Sequence, residues 1–318
     1  MNIPKIPEGL IYNAEGRLDV NAMRTNGTLS HEDYVKWDTK MVDVARTRLT
    51  FVQDLIDNGL ANFDFDMGDI VSKYEKLSDM EEANVDMDAA TGAQKDRLVF
   101  TESGVPIPIF HKGFTLNERQ IIASRRKPGG NLPSTQIVTA TRLVADKLEN
   151  MVPNGVTGLV LDNSQVYGYT THPNRNTHSI SHAWGTGSDD PEQDVLDMLA
   201  KAYTDNFFGP FTLYVSKDNW GFIQKTRSAT SDTTFKKIFE NMSDITAVRP
   251  GDRLAEGELV LVQMSEDVVD LAVAQDIVNF EEPKVSAMQH SFTVMAAMAV
   301  RVKSDSAGKC GVVHATGA

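Results

Sequence analysis

Three histidines are the first residues in this sequence whose types and spacing could support chemistry. His172, His178 and His182 fall within eleven residues, and the last two are four residues apart. On a helix this spacing would place two imidazoles on one face, as a zinc site requires. The nearby Pro173 and Gly185 favour a polar surface loop instead, and no glutamate follows His178 in the pattern of zinc proteases. We therefore predict no metal-binding residues.

Catalysis by a thiol, a bound nucleotide or a serine nucleophile has little support in the sequence. A single cysteine, Cys310, excludes an intrachain disulfide and a cysteine-based metal site, and the adjacent Gly308 and Gly311 indicate a loop. The chain contains no phosphate-binding Gly-x-x-x-x-Gly-Lys-Ser/Thr loop, no dinucleotide-binding glycine turn and no Gly-x-Ser-x-Gly elbow. The sequence thus predicts no catalytic residues and no cofactor; an enzyme with an unrecognised site is the alternative.

The charge balance limits the partners of the chain. Its 318 residues include 44 acidic and 31 basic ones, for a net charge of −13. A protein that neutralises phosphates over a broad surface is usually basic, so we expect no sequence-specific binding of nucleic acid. Enclosure of nucleic acid needs geometry rather than affinity and stays open. Since no apolar stretch approaches about 18 residues and no secretory signal is apparent, we expect synthesis in the cytoplasm and no membrane partner.

The first predicted helix follows an extended arm. Residues 1–29 carry three glycines and two prolines and few apolar clusters, which favours an extended conformation. Ser30 then provides an N-cap, and apolar residues recur every three or four positions from Tyr34 to Ile56. Asn58-Gly59 is a stop signal. We predict one continuous helix over this segment.

The later patterns mix helices and strands. Asp190-Pro191 begins a helix with an N-cap and a proline at the first helical position, and Ser231 or Asp232 caps another. Since no regular strand–helix–strand rhythm is present, the fold class is α+β. The remaining predicted elements are helices at 118–124 and 134–151, strands at 211–215, 259–263 and 268–274, and a last apolar region at 292–302.

A long polar excursion precedes a segment marked by prolines. Residues 63–98 are polar and acidic, whereas residues 98–100 and 105–110 look extended. Because Pro106 and Pro108 cannot donate hydrogen bonds within a central strand, this is an edge strand or a projecting ribbon. It is interpreted either as an arm that reaches a neighbouring copy or as a surface hairpin. Under the first interpretation, the predicted intersubunit contacts are Val105, Ile107, Ile109 and Phe110.

A basic triplet ends the short helix that follows. Arg125, Arg126 and Lys127 precede Pro128-Gly129. The three cations could contact an acidic patch on a neighbouring copy, could touch nucleic acid, or could be a solvated helix end that suits the helix dipole. We include all three residues among the predicted intersubunit contacts.

Five segments, in order, resemble those of the Hong Kong 97-like capsid proteins, a family of tailed-phage shell proteins that includes the encapsulins. The first-helix segment contains Val44-Ala-Arg-Thr-Arg-Leu, and the segment after the excursion reads Phe110-His-Lys-Gly-Phe-Thr-Leu-Asn-Glu-Arg-Gln-Ile. The segment Thr141-Arg-Leu-Val-Ala-Asp-Lys-Leu-Glu is similar to the long spine helix of that family. Residues 208–216 and 272–277 resemble its later strands, and the resemblance spans roughly residues 31–304.

The resemblance implies the Hong Kong 97-like fold and its subdomains. The expected parts are an N-terminal arm and first helix at 1–63, an extended loop at 64–109, a peripheral domain at 110–154 and 280–304, an axial domain at 155–279, and a C-terminal tail at 305–318.

It also implies a structural function without catalysis. The chain would be a major capsid protein that self-assembles into hexamers and pentamers, forming an icosahedral shell around double-stranded DNA without sequence-specific binding. Portal, scaffolding and decoration proteins would be further partners, and the virion its location. The long arm and the glycine-rich end favour the phage branch. The alternative is an encapsulin-like compartment shell that encloses a cargo enzyme.

Overall fold

The computed structural model describes residues 31–77, 97, 100–126, 134–161, 164–187, 190–227, 232–283 and 288–318. The predicted arm and the predicted cap Ser30 therefore lie outside the described residues, as do most of residues 78–99. No helix among those described is long and apolar enough to cross a membrane.

Seven helices and thirteen strands occur within these ranges, which confirms the predicted α+β class. The helices are α1 His31–Arg48, α2 Thr50–Asp57, α3 Glu118–Arg126, α4 Ser134–Asn154, α5 Pro191–Thr204, α6 Lys217–Ile223 and α7 Phe235–Glu240. The strands are β1 Ala61–Asn62, β2 Val71–Leu77, β3 Phe100–Pro106, β4 Ile109–Asn117, β5 Val156–Leu161, β6 Ser164–Val166, β7 Asn176–Ser179, β8 Phe211–Ser216, β9 Ile245–Gly251, β10 Glu258–Gln263, β11 Val269–Glu281, β12 Gln289–Val302 and β13 Val312–Thr316.

The first helix is two helices rather than the single one that we predicted. The chain breaks at Leu49, where φ is −94° and ψ is 82°, and α2 begins at the next residue. The carboxylate of Glu149, which lies on α4, accepts hydrogen bonds from the backbone N–H groups of Thr50 (2.9 Å) and Phe51 (2.7 Å). These N–H groups would be satisfied within a continuous helix. A carboxylate distant in sequence therefore caps a second helix, which the local apolar spacing could not reveal.

Helix α4 packs across a four-stranded sheet with the order β1-β11-β12-β4. It has 21 residues and spans about 31 Å, and its inner face buries Ile137, Val144, Leu148 and Met151. Gly155 ends it with φ +70°, and a Cβ there would lie 2.3 Å from the Val166 carbonyl oxygen. The predicted helix is confirmed and extends three residues further than expected.

The second sheet has five strands in the order β7-β13-β10-β8-β9. Its strand β13 pairs with β10 on one side and with β7 on the other. Residues 312–316, which lie within the predicted C-terminal tail at 305–318, therefore form an inner strand of this sheet. Val312, Val313 and Ala315 are fully buried, and this burial stabilises a strand within an otherwise glycine-rich segment.

Helix α2 connects the two sheets. Phe51 packs on Tyr214 of β8 with ring centroids 4.3 Å apart. The Tyr214 hydroxyl donates a hydrogen bond of 3.1 Å to Asp54, and the Arg249 guanidinium of β9 lies 3.6 Å from the same carboxylate. Burial raises the pKa of Asp54, and the Arg249 charge acts against that rise. The helix is thus capped from α4 and held by the five-stranded sheet.

Two other local predictions have different outcomes. The helix start at Asp190-Pro191 is confirmed, since the Asp190 carboxylate accepts from the backbone N–H of Gln193 at 3.3 Å. The cap at Ser231 or Asp232 is wrong: the Thr234 hydroxyl accepts from the Lys237 N–H at 3.3 Å and begins α7.

Candidate functional site

The candidate site is the base of the polar excursion, formed by the antiparallel pair β2 and β3. The pairing runs from Val71 opposite Pro106 to Leu77 opposite Phe100. The predicted extended segment thus returns as one strand of a two-stranded ribbon. We call this pair of strands the ribbon base.

A buried ion pair attaches the ribbon base to the four-stranded sheet. Arg301 on β12 donates from Nε to the Asp270 carboxylate on β11 at 2.6 Å, with a second hydrogen bond from Nη2. Lys303 Nζ also lies 2.9 Å from Asp270, which is only 1% exposed. Arg301 then donates from Nη1 to the hydroxyl of Ser72 on β2 at 2.7 Å. The guanidinium therefore bridges the four-stranded sheet and the ribbon base.

Further contacts hold the ribbon base from the side. Lys76 Nζ donates to the Ser304 hydroxyl at 3.1 Å, and the Arg301 guanidinium lies 5.2 Å from the Phe65 ring centroid. Burial raises the pKa of Tyr74. The ribbon base is thereby anchored at both ends of β2.

A small polar cavity of about 130 Å³ lies between the ribbon base and residues 164–174. Its lining includes Tyr74, Lys76 and His172. Burial lowers the pKa of His172 to about 4, and the charges of Lys76 and Arg175 act in the same direction. His172 is therefore neutral at physiological pH.

The predicted contact residues on the returning segment divide into two groups. Val105 and Ile107 are buried in the hydrophobic core of the chain, so their side chains do not form its surface. Ile109 is 50% exposed on β4, the last strand of its sheet, and Phe110 is half-buried. A contact with a neighbour through this segment can therefore use Ile109 and the outer edge of β4.

The basic triplet is described only in part. Arg126 is exposed at the end of α3, the backbone of Arg125 forms the same helical turn, and Lys127 lies outside the described residues. The placement of Arg126 is compatible with all three interpretations of the triplet.

A second exposed apolar surface lies beside the ribbon base. Leu159, Val160 and Leu161 are consecutive on β5, and Val160 is 60% exposed. This hairpin of β5 and β6 packs against β3. These three residues were not among the predicted contacts, although a run of three large apolar residues next to Gly158 is visible in the sequence. Such runs on a surface often mark interaction sites.

The three histidines first considered as metal ligands lie in different environments. His172 is buried, His178 lies in strand β7 rather than in the predicted loop, and His182 is exposed. No group of three metal-ligating side chains occurs in the part of the chain that the structure describes. Burial raises the pKa of the Cys310 thiol to about 12, so it packs as a neutral side chain, with Sγ 3.4 Å from the Lys303 carbonyl oxygen.

One protein family and several solved structures are similar to this chain. The model of a family described as a family of unknown function, DUF6260, matches residues 21–315. No curated protein matches the sequence.

The solved structures share the fold. A virus-like particle from Pyrococcus furiosus has a TM-score of 0.62 at 14% identity, covering 89% of this chain and 99% of the other. The capsid of Myoviridae phage XM1 has a TM-score of 0.64 at 13% identity, with coverages of 85% and 92%. A structure of Mycobacterium phage Bobi has a TM-score of 0.58 at 14% identity, covering 79% of this chain and 86% of the other. These matches confirm the predicted Hong Kong 97-like fold.

Proposed function

We propose that this chain, which belongs to the DUF6260 family, is a shell subunit, namely the major capsid protein of a tailed phage. The supporting observation is that the fold likeness to the capsid of Myoviridae phage XM1 extends over 85% of this chain and 92% of the other. Its function is then to assemble with copies of itself into hexamers and pentamers.

The described elements can be assigned to the subdomains that the family's fold implies. In this proposal the ribbon base is the root of the family's extended loop, and α4 with the four-stranded sheet is the peripheral domain. The five-stranded sheet is the axial domain. The boundary at residue 280 shifts, because β11 continues through that residue and pairs with β12. Residues 312–316 join the axial domain because β13 lies inside its sheet.

Interfaces between copies would use the exposed apolar side chains around the ribbon base. Ile109 and the run from Leu159 to Leu161 expose apolar area that a neighbour can cover, and each fully buried side chain contributes about 1.5–3 kcal/mol. Obligate interfaces bury about 2,000–5,000 Å². Several such contacts per subunit are therefore needed, and the excursion would supply others.

The proposed contents of the shell follow from charge. A net charge of −13 argues against broad binding of phosphates and is compatible with a shell that encloses double-stranded DNA without sequence-specific binding. Portal, scaffolding and decoration proteins are proposed partners, and the virion is the proposed location. An encapsulin-like compartment is the second candidate, favoured by the near-complete coverage of the Pyrococcus furiosus virus-like particle.

Electron microscopy and light scattering of the purified full chain test the proposal. Closed shells, sheets or hexameric rings are expected, and a stable compact monomer at all concentrations would overturn both shell proposals. Neighbouring genes then separate the two: portal, protease and terminase genes indicate a phage, whereas a ferritin-like or peroxidase cargo gene indicates a compartment.

A further inference from the structure

The cavity of about 130 Å³ between the ribbon base and residues 164–174 has a positive electrostatic character, and we call it the ribbon-base cavity. None of the described residues that line it is an aspartate or a glutamate, whereas Lys76 contributes a cation. Burial lowers the pKa of His172 to about 4, and the charges of Lys76 and Arg175 lower it further, so the potential at this side chain is positive. Such a cavity favours an anionic occupant over a cation.

The Lys76 ammonium is held at this cavity with donors that have no acceptor within the described ranges. Its Nζ donates to the Ser304 hydroxyl at 3.1 Å, and the side-chain amide of Asn174 donates to the same hydroxyl at 3.0 Å. An ammonium has three N–H donors, and Lys76 forms no ion pair with any carboxylate of those ranges. The other N–H groups of Lys76 and the second amide N–H of Asn174 can therefore donate to a ligand.

The His172 imidazole supplies a further donor. The residue is only 5% exposed, and its Nδ1 accepts a hydrogen bond from the backbone N–H of Asn174 at 3.3 Å. Because the neutral ring carries one proton and Nδ1 accepts, the proton is on Nε2. The part of the chain that the structure describes offers no acceptor to Nε2. Since a donor without an acceptor is costly in a largely buried ring, a ligand that accepts from Nε2 is stabilised.

The size of the cavity limits the ligand to one small group. Its volume equals that of about four water molecules, at about 30 Å³ each. Pockets for drug-sized ligands have about 300–1,000 Å³, so a nucleotide does not fit. One phosphate or one carboxylate group fits, and both present oxygen acceptors to N–H donors.

From these observations we infer that the ribbon-base cavity binds one small oxyanion, a phosphate or a carboxylate group, through Lys76, His172 and Asn174. Free phosphate and a carboxylate side chain of a second copy present the same chemistry to these donors. Because Lys76 belongs to β2 and the other two residues to the segment 164–174, the bound group joins the ribbon base to that segment. The inference does not depend on the proposed function.

Equilibrium dialysis of the full chain against labelled inorganic phosphate, at constant ionic strength in chloride, tests the site. We expect one saturable site per chain, for which acetate competes. Lys76→Met should weaken binding roughly tenfold or more, because charge-assisted hydrogen bonds are lost. Lys73→Met is the control and should change the affinity by less than about twofold, since Lys73 lies on the same strand outside the lining and pairs with Glu102. No saturable binding by the dilute wild type, or equal weakening by both variants, would overturn the inference.

The protein concentration separates the two sources of the oxyanion. A phosphate stoichiometry that is the same at all protein concentrations supports a free anion as the ligand. A stoichiometry that falls as copies associate supports a carboxylate of a second copy, because that group then displaces phosphate.

Nuclear magnetic resonance of the wild-type chain tests the site without depending on a folded variant. Phosphate at constant ionic strength should shift the imidazole signals of His172 along the saturation curve that dialysis gives. The exposed His182 lies outside the lining, and its signals should not follow that curve. His172 signals that do not move, or that move only in parallel with those of His182, reject the site.

Discussion

The carboxylate of Glu149 on α4 accepts a hydrogen bond of 2.7 Å from the backbone N–H of Phe51 on α2, across 98 residues of sequence. The same carboxylate accepts from Thr50, and these bonds act to keep it ionised. Burial acts more strongly in the other direction and raises the pKa of Glu149 to about 7. The junction between the long helix and the helix that connects the two sheets therefore titrates near neutral pH.

A pH dependence of stability follows from this buried carboxyl. The Glu149 carboxyl has a pKa of 4.5 in the unfolded chain and of about 7 in the folded one, so the folded chain binds this proton more tightly. The free energy of unfolding therefore falls as pH rises from about 4.5 to about 7. We expect the free energy of unfolding of the wild type to drop by about 3 kcal/mol relative to Glu149→Gln across that window. Urea unfolding of dissociated subunits at several pH values measures it.

Comparing the wild type with Glu149→Gln also cancels the contribution of His172 to the free energy of unfolding, which has the opposite pH dependence. The lowered pKa of His172 adds stability that is complete above its ordinary value of 6.5 and is lost as pH falls towards about 4, equally in both proteins. Glu256→Gln, at an exposed position, is the control and should parallel the wild type. Parallel curves for wild type and Glu149→Gln between pH 4 and 8 would contradict the prediction.

Removal of the Ser72 hydroxyl should loosen the ribbon base. Ser72→Ala deletes the acceptor of the Arg301 Nη1 hydrogen bond while leaving the Asp270 ion pair intact. A hydrogen bond to a charged group contributes about 1.5–3 kcal/mol, so amides of β2 should exchange roughly tenfold faster or more. Ser243→Ala, at an exposed loop hydroxyl, is the control. Unchanged exchange in β2 would show that Arg301 does not hold the ribbon.

Loss of Arg301 itself should be severe. Arg301→Met leaves the buried Asp270 carboxylate with Lys303 as its remaining cation among the contacts described, and breaking a buried pair costs about 3–5 kcal/mol. Chemical denaturation should report this loss. Asp270→Leu in the same chain should recover part of the stability, because no carboxylate then stays buried. A double variant no more stable than Arg301→Met would argue against a charge effect.

The exposed run on β5 should matter for assembly and not for folding. Val160→Asp changes a side chain that is 60% exposed, so the unfolding free energy should change by less than about 0.5 kcal/mol. Placing a charge in an interface should raise the concentration needed for assembly by roughly tenfold or more. Light scattering measures that concentration. Thr157→Asp adds the same charge to the same strand without removing a large apolar side chain, and assembly impaired equally by both variants would not support an apolar contact.

The polar excursion should also be needed for assembly. Replacing residues 80–95 with a glycine-serine linker of equal length leaves the ribbon base and its Arg301 contact in place. We expect folded subunits that form few or no shells, as seen by electron microscopy. Normal shells from this variant would exclude the excursion as a contact arm.

Local signals in the sequence were sufficient to predict helices whose caps and apolar faces are formed by neighbouring residues of the chain. The start of α5 needed only Asp190 and Pro191, and α4 needed only its apolar spacing. The break at Leu49 and the anchor between Arg301 and Ser72 depend on partners 99 and 229 residues away, which no local pattern encodes. A single charge inside each of two apolar runs, Asp270 within residues 268–274 and Arg301 within residues 292–302, was nevertheless a signal for a buried pair.

The predicted contact residues show a related limit. The alternation of Val105, Ile107 and Ile109 with prolines indicated an extended segment, which the structure confirms. It did not indicate which side chains face inward, because that depends on how β3 meets the rest of the subunit. Val105 and Ile107 pack into the core, and only Ile109 of the three is exposed.

The position of β13 has a consequence for biosynthesis. Residues 312–316 are translated after all the other strands of the five-stranded sheet, yet they lie between β7 and β10. Until residues 312–316 have left the ribosome, β7 lacks the strand with which it pairs among the described residues. A chain truncated before Val312 therefore cannot complete the five-stranded sheet, although all of its other described strands have been synthesised. The order of synthesis thus makes completion of this sheet a late event in the formation of the fold.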